Sequence, residues 1–125
     1  MERTNGIHII ADFYDCQCSP QYLFDKNIAL TFIEHFIKKS GLTIIKSDFH
    51  SFGADCGYTG YVLFAESHFS IHTWPKNQFT ETNFINMDIF VCNYLKDNTD
   101  KAEFIFTNMH KMFDPTSSSQ HRIFR

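Results

Sequence analysis

No surplus of either charge marks this chain of 125 residues, because 11 Lys and Arg stand against 14 Asp and Glu for a formal net charge of −3. Without a strong field to gather nucleic acid or anionic lipid, polyanion binding is not expected as its main task. Long apolar runs are also missing: the longest wholly apolar stretch, Tyr61 to Ala65, is far too short to span a bilayer. The start Met-Glu-Arg-Thr-Asn-Gly has neither the basic flank nor the apolar core of a signal peptide, which predicts a cytoplasmic protein with no membrane partner. Cysteine is sparse and irregularly spaced, so Cys16, Cys18, Cys56 and Cys92 read as thiols rather than as a disulfide scaffold. The Cys16-x-Cys18 pair is tighter than a zinc knuckle and no second pair follows, so no metal is expected. Repeats and linkers are absent until Pro115, where a Thr-Ser-Ser-Ser run predicts an irregular, loosely attached tail.

What is present is bulky apolar material. Hydrophobic residues make up 43% of the chain and aromatic residues 17%, led by 15 Phe, enough for one core in a single domain over residues 1–125. Residues 7 to 14 are β-branched and aromatic and predict a first strand. Between Leu23 and Lys39, apolar Ile28, Phe32, Ile33, Phe36 and Ile37 recur at helical spacing, and Gly41 closes the helix. Strand patterns follow at Thr43 to Phe52, Thr59 to Glu66, His68 to Trp74 and about Phe84 to Cys92, the first two of them an antiparallel pair. A second helix capped by Asp97, Asn98 or Thr99 runs to about Met112, with Ala102, Phe106, Met109 and Phe113 on its apolar face. Helices separated by runs of antiparallel strands predict an α+β fold, a two-layer sandwich with the helices on one face of a mainly antiparallel sheet.

Reactive groups concentrate in Ala65-Glu-Ser-His-Phe-Ser-Ile-His-Thr-Trp-Pro75. Taken alone, alternation would put these hydroxyls and imidazoles on the solvent face of a half-buried strand. However, Glu66-Ser67-His68 followed by Ile71-His72-Thr73-Trp74-Pro75 resembles the processing motif of the short bacterial and archaeal S-adenosylmethionine decarboxylases, which are pyruvoyl enzymes. The likeness extends in order through Gly6-Ile-His8, Ala11-Asp12, Cys16, His50, Phe52, Gly57, Gly60 and Asp88-Ile-Phe-Val-Cys92.

The resemblance implies that the chain cuts itself between Glu66 and Ser67, giving fragments 1–66 and 67–125, when the Ser67 hydroxyl attacks the preceding carbonyl and turns the amide into an ester. Elimination and hydrolysis then leave residue 67 as a pyruvoyl group, a ketone that forms a Schiff base with the substrate amine and accepts electrons as carbon dioxide leaves. It further implies His72 as the acid or base of processing, Thr59 as a supporting hydroxyl in place of the usual serine, and Cys92 as the proton donor to the decarboxylated carbon. Phe52, Glu66 and Trp74 would touch the substrate, with Phe52 stacking on a planar base. His68 receives a structural or substrate-side part, and a regular strand would set His72 and Ser67 on opposite faces, so that only a bulge or bend would bring them together. The competing readings are a polar strand histidine, an ordinary strand threonine, a buried thiol and a core phenylalanine. The implied product is the aminopropyl donor of spermidine and polyamine synthesis, and the implied assembly is a dimer.

The likeness has gaps. Lys76 stands where a glutamate would accept from ribose hydroxyls, Asn77 to Met87 is longer than the family pattern, and Asn93 replaces the glycine after Cys92. These departures keep two alternatives open: a pyruvoyl decarboxylase of arginine or ornithine, or a non-catalytic regulatory paralogue.

Overall fold

The computed structural model describes residues 5–93 and 95–125; the Met1 to Thr4 segment, read above for a leader, lies outside them. Six strands form one antiparallel sheet in the order β2-β3-β4-β5-β1-β6. They are β1 (Gly6–Cys16), β2 (Ile44–Ser51), β3 (Tyr58–Phe64), β4 (Ser67–Trp74), β5 (Phe84–Cys92) and β6 (Pro115–Phe124). Helices α1 (Gln21–Phe24), α2 (Lys26–Lys39) and α3 (Thr99–Phe113) complete the α+β sandwich. Among the described residues no helix is long and apolar enough to cross a membrane.

Alternation decides which face of the sheet is covered. Ile7, Ile9, Ala11 and Phe13 of β1 and Ile85, Met87, Ile89 and Val91 of β5 are fully buried, as are Phe69, Ile71 and Thr73 of β4. On the helix side Ala29, Ile33 and Ile37 of α2 meet them with Ala102, Ile105, Met109 and Phe113 of α3. Burying each large side chain contributes about 1.5–3 kcal/mol, so this layer dominates the stability of the fold. Two glycines let strands and loops approach closely. A Cβ on Gly60 would sit 2.2 Å from the Phe49 ring, and one on Gly57 would sit 2.1 Å from the Thr73 carbonyl oxygen.

Three sequence expectations change. The helix foreseen from Leu23 is divided at Asp25, whose extended backbone and carboxylate, accepting from the amides of Asn27 and Ile28, cap α2 and end α1. Phe32 lies at the margin of the covered stripe and is 41% exposed, packing edge-on to Tyr22. The tail from Pro115 is not irregular: it pairs with β1 from Cys16↔Pro115 to Ile7↔Phe124. Its side chains are mostly exposed, so it carries no alternation that could have marked it, and backbone bonds to β1 supply its order. Arg122 adds a tie to α3, pairing with Glu103 and lying 5.0 Å over the Phe106 ring.

Candidate active site

Among the described residues the second face of the sheet has no helix over it; His72 and Trp74 of β4 stand on that face, whereas Ser67, at the other end of the strand, aligns with buried Val91 on the helix-side parity. At the far end, register aligns a polar row across five strands: His50↔Thr59, Thr59↔His72, His72↔Asn86 and Asn86↔Asp12. At the near end, His68↔Phe90 and Phe90↔His8 form a second row beside Ser67.

His72 lies within an aromatic stack. Its ring centroid is 4.2 Å from that of Trp74 at an interplanar angle of 17°, and 5.4 Å from that of Phe52 at 25°. Burial among these rings lowers the His72 pKa below its ordinary value, which favours the neutral imidazole. Trp74 is held in turn by its indole N–H, which donates to Asn86 Oδ1 at 2.8 Å, while Asn86 Nδ2 donates to Asp12 Oδ1 at 2.8 Å. A cleft of about 230 Å³ opens against this stack, with Cys56, Asn77 and Phe79 among its other walls. Phe52 is 48% exposed, Trp74 44% and Phe79 86%, so flat apolar surface faces solvent there. Asn77 shapes the Phe79 loop by accepting from the amides of Phe79 and Thr80. Lys76 does not line this cleft; it borders the neighbouring depression with Ala54 and Asp55.

Thr59 stands beside His72 on β3 and donates to the Ile71 carbonyl at 3.2 Å. Thr73, the inward neighbour of His72, accepts from the Tyr58 amide and donates to the Leu23 carbonyl, fixing the strand to α1.

Ser67, Glu66 and Cys92 meet at the other end. Ala65 and Glu66 make the tight turn between β3 and β4, and Ser67 follows it with φ 146°, a conformation that favours glycine. Holding a serine there costs about 1–3 kcal/mol, stored at the peptide that joins Glu66 to Ser67. The carbonyl oxygen of that peptide accepts from the Cys92 amide at 2.7 Å, and the Glu66 carboxylate accepts from the Thr43 amide at 3.0 Å. Ser67 Oγ lies 3.2 Å from His68 Nδ1, so His68 is the imidazole in reach of the nucleophile within one chain. His72 is five residues further along an unbroken strand, roughly 16 Å away at the usual rise. No bulge reconciles the two: β4 keeps its register with both neighbours from Ser67 onward.

The sequence reading joined Ser67, His72 and Cys92 as one catalytic set, with Thr59 in support and Phe52, Glu66 and Trp74 on the substrate. The structure instead gathers Glu66, Ser67 and Cys92 at one end of β4 and Phe52, Thr59, His72 and Trp74 at the other, and adds Asn86 and Phe79, which that reading missed. Asn86 was visible as a polar residue on the open parity of β5, opposite Asp12, once strand register was known. Cys16 and Cys18 take no part in either group. Burial, with Cys18, Asp15 and Asp114 nearby, pushes Cys16 up to about 12, and burial chiefly pushes Cys18 up to about 11, so neither is a ready thiolate.

An open antiparallel sheet backed by helices thus carries a strained Glu66–Ser67 peptide at one strand end and an aromatic-lined cleft at the other. Residues 7–125 match the profile of the family described as S-adenosylmethionine decarboxylase, and the chain belongs to that family. It is 36% identical over 120 residues to the S-adenosylmethionine decarboxylase proenzyme of Thermoplasma volcanium, covering 96% of this chain and 83% of the relative. The proenzyme of Archaeoglobus fulgidus is 36% identical over 112 residues, covering 90% of this chain and 89% of that one. The crystal structure of the adenosylmethionine decarboxylase from Aquifex aeolicus superposes with a TM-score of 0.83 at 28% identity, covering 99% of this chain and 92% of that one.

Proposed function

We propose that the protein is a pyruvoyl-dependent S-adenosylmethionine decarboxylase that cuts itself at Glu66–Ser67 and supplies the decarboxylated aminopropyl donor for spermidine and other polyamines. The observation that carries the reading is the Glu66–Ser67 peptide itself: a strained serine follows it, an imidazole touches the Ser67 hydroxyl, and an amide donates to its carbonyl oxygen.

These groups fit formation of the pyruvoyl group. Ser67 Oγ loses its proton and bonds to the Glu66 carbonyl carbon, negative charge gathers on the carbonyl oxygen, and the Cys92 N–H is already aimed at it. The carbon–nitrogen bond then breaks, nitrogen takes a proton, and an ester replaces the amide. A base removes the Ser67 α-proton, the ester oxygen leaves on Glu66 as a carboxylate, and water displaces ammonia from the dehydrated residue. Rotation of Ser67 out of its strained φ accompanies the break, so stored energy is released along the path. When present, the pyruvoyl group supplies an electrophilic ketone that condenses with the substrate amine and takes up the electron pair left by carbon dioxide. In this reading Cys92 protonates the substrate carbon, Glu66 contacts the substrate, and Phe52 and Trp74 grip the adenine.

His72 and Thr59 belong to the same chemistry, and the reading unites them with Ser67 through a second copy. Two open faces packed about a two-fold axis, with their β4 strands antiparallel, would bring the Ser67 end of one protomer to the His72 end of its partner. The bare face supports this: Tyr14, Tyr61, Leu63, Trp74 and Ile123 are all more than a third exposed. One domain spanning residues 1–125, a homodimer and a cytoplasmic location complete the proposal.

The test is release of labelled carbon dioxide from carboxyl-labelled S-adenosylmethionine, with arginine and ornithine alongside. Turnover of S-adenosylmethionine, and inactivation by cyanoborohydride only in its presence, are expected; turnover of either amino acid instead would overturn the substrate assignment.

A further inference from the structure

After the exposed Leu95, Lys96 and Asp97 comes a buried asparagine whose side chain is not spent where its type predicts. Asn98 is the N-cap residue of α3, yet its side chain caps nothing; the Asp97 carboxylate takes the Thr99 amide instead. Asn98 is 3% exposed and Asn93 1%, two of the few polar residues in the core. The amide nitrogen Nδ2 of Asn98 donates to the Cys92 carbonyl at 2.8 Å, and its backbone N–H donates to Asn93 Oδ1 at 2.7 Å. Asn93 is anchored further through its N–H to the Asn5 carbonyl at 2.7 Å and through Nδ2 to Thr99 Oγ1 at 3.4 Å.

Cys92 is therefore gripped at both of its backbone polar groups: its N–H lies on the Glu66 carbonyl and its C=O lies on Asn98. Among the described residues Asn98 Oδ1 is buried without a donor, and Asn98 lines a cleft of about 180 Å³ with Ala65, Glu66, Cys92 and Leu95. A buried acceptor left unsatisfied costs stability and persists where the rest of the side chain is needed. Here the rest of the side chain holds the Cys92 carbonyl, across the Cys92 Cα from the amide that faces the Glu66 carbonyl.

We propose that Asn98, braced by Asn93, is the positioning residue for self-cleavage: by holding the Cys92 carbonyl it fixes the backbone on the far side of the Cys92 Cα, so that the Cys92 N–H, in the preceding peptide, stays on the Glu66 carbonyl oxygen as charge develops there. The inference rests on the self-cleavage reading and adds to it the residues that set its rate. A donor displaced by a few tenths of an ångström loses much of its value to a growing oxyanion, whereas the folded sheet hardly depends on it.

The experiment follows chain scission by intact mass in freshly purified wild type, Asn98→Ala and Asn98→Asp, each held well below its own melting midpoint. The Asp variant keeps the shape of the side chain and removes the Nδ2 donor, so it covers the case in which the Ala variant fails to fold. Both variants are expected to cut at least roughly 10-fold more slowly than wild type. Hydroxylamine, which cleaves esters, should not restore their scission, because the block precedes ester formation. Scission of folded Asn98 variants at the wild-type rate, or their rapid cleavage by hydroxylamine, would overturn the positioning role. A wild type that never cuts would instead defeat the self-cleavage reading on which it rests.

Discussion

Ser67 and His72 occupy one regular strand, five residues and roughly 16 Å apart, with both neighbouring strands in unbroken register between them. If both serve one reaction, they come from different chains. Coexpression of Ser67→Ala with His72→Ala tests this directly. In a mixed dimer the His72→Ala chain keeps its nucleophile and meets an intact His72 on its partner, so it should be cut, while the Ser67→Ala chain stays whole. Each variant alone should remain uncut or slow by about 10²–10⁴-fold. Mixed dimers that form and show no scission would place the base within the same protomer, leaving His68 as the imidazole in reach.

The pH dependence of scission follows from the burial of His72. Its pKa in the folded chain lies below the ordinary 6.5, so the neutral base persists to lower pH than a solvent-exposed imidazole would. Processing rate measured against pH should fall on the acid side with a midpoint under 6.5, and this limb should vanish from the residual rate of His72→Ala. Stability carries the same sign. The contribution of neutral His72 is present above the unfolded pKa and is lost as pH falls through the lower folded value.

Trp74 is the sole tryptophan, so its fluorescence reports on the cleft without interference. Titrating Ser67→Ala with S-adenosylmethionine should change the emission as the indole is covered. Replacing Asn86 with Ala frees the indole N–H and removes the tie to Asp12. A hydrogen bond of about 1 kcal/mol corresponds to about a 5-fold rise in KM with kcat nearly constant. An equal fall in kcat with KM unchanged would show that Asn86 acts on the chemistry rather than on the cleft wall.

Gly60→Ala tests the sheet that carries the site. The added methyl meets the Phe49 ring, which stacks on Tyr58 with centroids 5.5 Å apart, and the ring has nowhere to retreat without disturbing that stack. Overpacking of this kind should cost about 1–3 kcal/mol in denaturant unfolding. A melt indistinguishable from wild type would mean that the Phe49 ring moves freely.

Much of this was legible in the residues. Alternation of Ile7, Ile9, Ala11 and Phe13, and the spacing of Ala102, Phe106, Met109 and Phe113, identify β1 and α3 because each buries one face against the same core. The strand at Phe84–Cys92 was readable for the same reason, whereas the strand read through to Glu66 ends at Phe64, because Ala65 and Glu66 form the turn. The C-terminal strand was not, since Thr116, Ser117 and their successors owe their order to the backbone of β1 rather than to any apolar face. The odd offset of Ser67 and His72 foretold opposed faces on a regular strand, and the regular strand is what forms. What a single sequence could not show was the partition of the site between the strand ends, nor the grip of Asn98 on Cys92, because both depend on which strands pair and in what register.

The account depends most on the bond between Glu66 and Ser67. Intact mass spectrometry of the purified protein, with no substrate added, tests it most directly. Two chains are predicted, residues 1–66 ending in a carboxylate and residues 67–125 beginning with a pyruvoyl group. One uncut chain of unchanged mass after prolonged incubation would contradict it.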